Sequence, residues 1–159
     1  MGKKITLLHL FVFAIITEAY AQLANKSTLN TIANSINKIY RKPIDKKLVL
    51  FSIWVSTDKN SKVDSVYFSE MSPPLTIDMV LDTAEIKTFF KRSSKLEKKF
   101  SNTLFIIPIL YRPLNNIAAI YLPDLGRDFS NLIPEQAKFR NKKLIVEKPT
   151  EITIHETVN

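Results

Sequence analysis

The chain contains no cysteine, and this absence removes several kinds of chemistry at once. Disulfide bonds, thiolate metal sites and cysteine nucleophiles are all excluded. Histidine is nearly absent as well, because apart from His9 the sequence has only His155, four residues before its end. A catalytic triad needs an imidazole held firmly against a carboxylate, and a chain terminus seldom provides such support. We therefore predict a surface role for His155 rather than a catalytic one.

Glycine is also scarce, since Gly2 and Gly126 are the two glycines of the whole chain. Nucleotide-binding loops use glycine to let the backbone approach a phosphate group closely. The sequence has no such loop, and it offers no cluster of cysteine and histidine ligands for zinc. It therefore predicts neither a cofactor nor a metal ion.

A short polar stretch, DKNSK at residues 58–62, separates two strand-like segments. Asp58, Asn60 and Asp64 match the first, third and seventh positions of a calcium loop. The match then fails, because Lys62 stands where an acceptor is needed and both the turning glycine and the closing glutamate are missing. We predict a hairpin tip without metal, in which Asn60 adopts positive φ because asparagine tolerates that conformation better than serine.

The first 21 residues have the features of a secretory signal peptide. Lys3 and Lys4 form a basic start, and the apolar run at residues 5–16 is shorter than the roughly 20 residues that span a bilayer. Ala19-Tyr20-Ala21 fits the small-x-small cleavage rule, so cleavage after Ala21 is predicted, with an uncleaved anchor as the alternative. The expected location is periplasmic or secreted. The absence of cysteine excludes a lipoprotein anchor.

Lysine and arginine outnumber the acidic residues, and the formal net charge is +8. Such a balance suits an acidic protein surface or anionic lipid as partner, but a solvated surface is the more common explanation and is favoured here. One group of basic side chains, called here the basic cluster, consists of Lys91, Arg92, Lys95, Lys98 and Lys99. Export argues against nucleic acid as its partner, so contact with a membrane surface is the functional alternative to a solvated connector.

The spacing of apolar residues predicts helices and strands in mixed order. Helices are expected at 27–41, 78–92 and, weakly, 128–139, and strands at 47–57, 63–69, 103–112, 117–122, 143–148 and 151–156. After the signal peptide at 1–21 we expect an amphipathic helix at 22–42, an α+β core at 44–122 and a carboxy-terminal extension at 123–159. The extension either belongs to the core domain or follows it as a separate piece.

The order of these segments resembles the TonB C-terminal domain family over about residues 44–112. The segment from Asp58 to Val63 resembles the family turn Asp-x-x-Gly-Lys-Val, and residues 106–109, IIPI, resemble its Val-Pro-Ile strand. The resemblance implies an α+β two-layer sandwich, with an antiparallel sheet and helices packed on one face. Ser61 replaces the turn glycine, and Arg92 stands where the family often has proline. A cleavable signal takes the place of the family's anchor and Pro-rich spacer, so energy transduction is not implied. The chain's overall style also resembles small exported proteins of Bacteroidota.

The leading functional prediction is an exported, non-catalytic envelope protein that binds a protein or peptide, or a second copy of itself, by strand addition. Pro108 lacks an N–H group, so the strand 103–112, or one that follows it, is expected to form a sheet edge. The residues of this strand predicted to contact the partner are Phe105, Ile107, Pro108, Ile109 and Tyr111. Two alternatives remain open: a small hydrolase using the carboxylates of Asp78 or Asp82, and a lipid- or polysaccharide-associated protein using the basic cluster.

Overall fold

The computed structural model describes residues 23, 25–39, 48–73, 75–92, 96–113, 122–135 and 139–154. Within these ranges the helices are α1 (Lys26–Ile39), α2 (Ile77–Val80), α3 (Thr83–Arg92) and α4 (Leu122–Asn131). The strands are β1 (Val49–Thr57), β2 (Val63–Phe68), β3 (Thr103–Pro113), β4 (Lys143–Val146) and β5 (Thr150–Ile154), and Lys98–Phe100 forms a 3-10 turn. The predicted signal peptide, His155 and all but Leu122 of the predicted strand at 117–122 lie outside the described residues. No helix that is described has the length and apolar character needed to cross a membrane.

The five strands form one mixed sheet in which β1 pairs antiparallel with both β2 and β3. On its other side β3 pairs parallel with β4 through residues 103–106 and parallel with β5 through residues 109–113. The α+β class is therefore confirmed, whereas the expectation of a purely antiparallel sheet is wrong. The parallel pairing arises in the carboxy-terminal extension, whose two strands lie along β3 and belong to the same sheet as the core.

The hydrophobic core lies between one face of the sheet and helices α1 and α3. β1 supplies Val49, Phe51, Ile53 and Val55 to this face, because alternate side chains of a strand point the same way. The helices supply Ile32 and Ile36 from α1 and Ile86 and Phe90 from α3, at the three- and four-residue spacings that place side chains on one helical face. All eight of these side chains are buried.

The opposite face of the sheet is covered too, by the chain segment that follows α4. The Ser52 hydroxyl donates a hydrogen bond of 2.6 Å to the Leu132 carbonyl, and Trp54 Nε1 donates one of 2.9 Å to the same oxygen. Both donors point away from the core side of β1. The expectation that helices pack on one face is therefore wrong, since α1 and α3 lie on one face and the segment of α4 lies on the other.

β3 is an interior strand, which corrects the expectation that residues 103–112 form a sheet edge. It is paired on both sides, by β1 and by β4 with β5. Glu147 N donates to Ile106 O at 2.8 Å, so the backbone groups of residues 106 and 108 face the β4–β5 side. The nitrogen of Pro108, which carries no hydrogen, therefore faces the break between β4 and β5. No hydrogen bond between strands is lost there. The strands that follow β3 form the edge instead.

The predicted helix at 78–92 is divided into α2 and α3, and Asp82 caps the start of α3. Asp82 Oδ1 accepts a hydrogen bond of 2.9 Å from Glu85 N, which is the pattern of an N-cap aspartate. Asp78 Oδ1 accepts one of 2.6 Å from the Thr83 hydroxyl. Both carboxylates that were candidates for catalysis are therefore engaged in starting a helix.

The turn between β1 and β2 is organised by Asp58. Its Oδ1 accepts hydrogen bonds from Asn60 N at 2.7 Å and from Lys62 N at 2.9 Å, and the bond from Lys62 lowers the pKa of the Asp58 carboxyl. The left-handed residue is Ser61, with φ of 61°, so the prediction that Asn60 takes this conformation is wrong. Ser61 is buried, and its hydroxyl has no hydrogen-bond partner among the described residues.

Replacing Ser61 with glycine is expected to stabilise the domain by about 1 kcal/mol. The change relieves the strain of a side chain on a left-handed backbone, and it removes a buried hydroxyl without a hydrogen-bond partner. Together these two gains outweigh the greater entropy of glycine in the unfolded chain. Urea unfolding of Ser61→Gly and of the control Asn60→Gly measures the effect. A destabilised Ser61→Gly variant, or equal gains at both positions, would contradict this description of the turn.

Candidate functional site

β2 forms one edge of the sheet, and β1 is its strand neighbour within the described part of the chain. Ser69 N donates to Ser52 O at 3.0 Å, which fixes the direction of the backbone groups along the strand. Because these groups alternate in direction, the N–H and C=O groups of Val66 and Phe68 point away from β1. The edge therefore presents a short row of backbone donors and acceptors to an incoming segment.

A groove of about 740 Å³ runs along this edge. One wall lies on the core side of the sheet and includes Phe68, Ile77 and Lys87; the other lies on the opposite side and includes Trp54, Ile133 and Phe139. Tyr67 and Val66 from β2 also line the groove, together with the polar residues Glu70, Ser130, Asn131 and Glu135 and with Pro134. The groove thus has apolar surface on both sides of an open strand, which is the arrangement needed to accept alternating side chains.

Three aromatic rings form the wall on the side away from the core. The Phe139 ring lies edge-on to Trp54, with 6.4 Å between centroids, and to Tyr67, with 5.6 Å between centroids. The hydrogen bond from Trp54 Nε1 to the Leu132 carbonyl holds the indole in place. Tyr67 remains 43% exposed. A fixed aromatic wall with one half-open ring gives a binding partner apolar contact at a low cost in side-chain entropy.

The wall on the core side carries the charge of the groove. The Lys87 ammonium lies 5.6 Å from the centroid of the Phe68 ring, within the range of a cation–π contact. Two acidic residues, Glu70 and Glu135, also line the groove. The formal charge of the groove is therefore −1, on a chain whose formal net charge is +8.

Lys142 fastens the segment after α4 to the hairpin. Its Nζ donates to Ser56 Oγ at 2.5 Å, to the Thr57 carbonyl at 2.7 Å and to Asp64 Oδ2 at 2.9 Å. A serine–lysine pair can act as nucleophile and base only when the amine is neutral. Here three acceptors surround the three donors of an ammonium group, and one of them is a carboxylate. The arrangement is a structural clamp that positions Phe139 beside Tyr67.

Replacing Lys142 with methionine is expected to destabilise the domain by about 1 kcal/mol. The clamp is partly exposed, so water satisfies some of the acceptors that the lysine leaves. The exposed neighbour Lys143, replaced in the same way, is the matched control and should change little. Chemical unfolding of both variants measures the difference, and equal stabilities would show that the clamp contributes nothing.

The residues predicted to contact a partner on β3 lie inside the protein. Phe105, Ile107, Ile109 and Tyr111 belong to the buried core, and Pro108 is buried as well. Their backbone groups are directed toward β1 or toward the β4–β5 edge. These five residues therefore have little surface exposed to a partner in the folded chain, because β4 and β5 pair with the strand that carries them.

The basic cluster is divided between two elements. Lys91 and Arg92 end α3, whereas Lys98 and Lys99 belong to the 3-10 turn, and all four side chains are exposed. Lys99 pairs with Glu97 at 2.9 Å and lies 5.1 Å from the Phe100 ring centroid. Lys95 lies outside the described residues. Arg92 lines a shallow pocket with residues of α1 and α3, whereas Lys91, Lys98 and Lys99 do not line that pocket, so the cluster stays a predicted surface.

No group of three or more histidine, cysteine, aspartate or glutamate residues in the described ranges is arranged to hold a metal ion. The groove residues were not found by reasoning from the sequence, because they come from β1, β2, helices α2 to α4 and the segment after α4. One signal was present: Trp54 and Tyr67 are large aromatic residues that pair across neighbouring strands on the face away from the core.

Comparison with known proteins gives no match, whether to a family model, to a curated protein or to a solved structure.

Proposed function

We propose that this chain is an exported, non-catalytic binding protein of the cell envelope that accepts an extended protein or peptide segment along the edge of β2. The observation that carries the proposal is the outer backbone of Val66 and Phe68, which no described strand pairs with, beside an aromatic groove. Strand addition needs these two features together, because main-chain hydrogen bonds supply affinity and flanking pockets supply specificity. Export rests on the signal peptide and predicted cleavage after Ala21.

The shape of the groove favours a strand over a compact ligand. An added strand would place successive side chains alternately on the two sides of the sheet. On one side they meet Trp54, Tyr67 and Phe139, and on the other they meet Phe68 and Ile77. A segment with apolar or aromatic residues at alternating positions therefore fits both walls at once.

The charge of the groove favours a basic residue in the partner. Glu70 and Glu135 outnumber Lys87 in the lining, on an otherwise basic protein. A lysine or arginine between the apolar positions would neutralise this local excess and would discourage acidic segments. We accordingly propose an extended segment of another protein that is apolar at alternate positions and carries at least one basic side chain.

The resemblance to the TonB C-terminal domain family is retained in the proposal for residues 44–112 alone, without the purely antiparallel sheet and the single helical face. The sequence order of β1, β2, α3 and β3 agrees with the resemblance over about residues 44–112. Ser61, the left-handed residue of the hairpin, occupies the position where the family turn has glycine. The parallel strands β4 and β5 lie after this segment and are a feature of the present chain.

Site-specific photo-crosslinking in cells of the native source tests the proposal. A photoreactive phenylalanine analogue replaces Tyr67 in the groove or, as the control, Phe129, which is 68% exposed and does not line the groove. The proposal expects one discrete adduct with another protein at position 67 and none at position 129, and the crosslinked segment should have the alternating apolar pattern. Adducts of equal strength at both positions, or an adduct with a second copy of the chain, would contradict it.

A further inference from the structure

Glu147 is a buried carboxylate at the break between β4 and β5. Its residue is 1% exposed, and its backbone N–H donates to Ile106 O at 2.8 Å. Its side chain points to the core side of the sheet, since Ile145, two residues earlier on the same face, packs against the core. The hydrogen-bonded backbone therefore holds an acidic side chain against apolar surroundings.

Among the described residues the carboxylate has no partner of the kind that a buried charge needs, because neither of its oxygens accepts a hydrogen bond of standard geometry. Desolvation is the larger effect and raises the pKa of Glu147 to about 7, while the backbone N–H of Leu23 acts in the opposite direction. No charged side chain among the described residues contributes to this shift, and the nearest basic residues along the chain, Lys143 and Lys148, are exposed.

Leu23 connects this carboxylate with the predicted processing site. It is buried within the same core, 4% exposed, just before α1. It also lies two residues after Ala21, so cleavage there makes Gln22 the first residue of the processed chain. One peptide bond joins Gln22 to Leu23, so the new terminus is covalently next to the residue whose backbone N–H acts on Glu147.

We infer that Glu147 is a binding site for the α-ammonium group that cleavage after Ala21 creates at Gln22. The inference goes beyond the groove, and it rests only on the export part of the proposed function. An α-amino group has an ordinary pKa of about 7.7–8.0, so it is largely protonated at neutral pH and supplies the positive charge and donors that the carboxylate lacks. In the precursor the same nitrogen is an uncharged amide. The processed chain is therefore the form whose buried acid is paired.

The inference predicts a difference in pH dependence between the two forms. When the amino group is blocked or displaced, Glu147 keeps its raised pKa of about 7, whereas in the unfolded chain it ionises near 4.5. Between pH 4.5 and pH 7 Glu147 is ionised in the unfolded chain but still protonated in the folded one, so the free energy of unfolding falls as the pH rises. In the processed chain the ammonium group favours the ionised carboxylate, and this loss should disappear.

The experiment compares the chain that begins at Gln22 with one that begins at Ala19, both released from a cleavable fusion. Carbon-detected NMR follows the Glu147 carboxyl, and urea unfolding is measured at about pH 5 and about pH 8. From pH 5 to pH 8 the extended form should become less stable by a factor on the order of 50 to 100 in the unfolding equilibrium constant. The form starting at Gln22 should change less than about fivefold, with a carboxyl pKa below 4.5. In Glu147→Gln chains the two forms should behave alike.

Identical Glu147 titrations in the two forms would overturn the inference. So would amino-terminal sequencing and mass analysis of the exported protein that show another first residue, or a Gln22 cyclised to an uncharged lactam. These results leave the groove untouched, since crosslinking at Tyr67 does not depend on the amino terminus. If the crosslinking experiment fails while Glu147 is found paired with the α-amino group, the proposed binding function is contradicted and the site at the amino terminus is retained.

Discussion

Removal of residues 143–159 is expected to abolish the stable monomer. The truncation deletes β4 and β5, and with them Ile152, which is buried in the core, and Ile145, which packs against it. It also opens the whole outer side of β3, whose side chains are among the most apolar of the chain. Lost burial alone amounts to at least about 5 kcal/mol, and an exposed apolar edge promotes association between chains.

Size-exclusion chromatography with light scattering and thermal unfolding measure this effect. The control is a chain that ends at Ile154, which keeps β5 and lacks only residues 155–159. It should be monomeric and as stable as the full-length protein. A truncated chain that stays monomeric and folds cooperatively would show that β4 and β5 are an appendage rather than part of the core.

Lysine in place of Tyr67 is expected to weaken binding of the extended partner by roughly 30-fold, or about 2 kcal/mol. The substitution removes one ring of the aromatic wall and places a charge on the sheet edge, a device that natural proteins use to prevent strand addition. Because Tyr67 is exposed to solvent on a surface strand, the fold should change little.

Isothermal titration with a synthetic peptide of the crosslinked segment measures the affinity. The matched control is Phe129→Lys, which introduces the same charge at an exposed aromatic residue outside the groove. That variant should bind the peptide as the unmodified protein does. Equal losses for the two variants would indicate a general charge effect, and no loss for Tyr67→Lys would move the binding surface away from β2.

Local sequence patterns predicted the elements of the core well. The alternation from Val49 to Val55 identified β1, and the polar residues after it identified the hairpin, because both signals are carried by neighbouring residues. The turn was placed correctly but its left-handed residue was not. Asparagine generally tolerates positive φ better than serine, which favoured Asn60. In the structure Asp58 accepts hydrogen bonds from Asn60 N and Lys62 N, and the residue between them, Ser61, has the positive φ.

Pairing between distant segments was beyond such patterns. Pro108 predicted a gap in the hydrogen bonds along its strand, and the structure has such a gap. The residue alone did not predict that β4 and β5 would lie on either side of it. The groove depends on the same kind of information. Phe139 contacts Trp54 and Tyr67 because hydrogen bonds from Lys142 and to the Leu132 carbonyl hold the segment after α4 against β1.

Amide hydrogen exchange of Val66 and Phe68, with and without the crosslinked segment as a peptide, tests the central claim most directly. Their N–H groups face away from β1, so they should exchange rapidly in the free protein and become protected by at least about tenfold in the complex. The amides of Ser65 and Tyr67, which face β1, serve as internal references and should change little. Binding that leaves Val66 and Phe68 unprotected would contradict strand addition at β2.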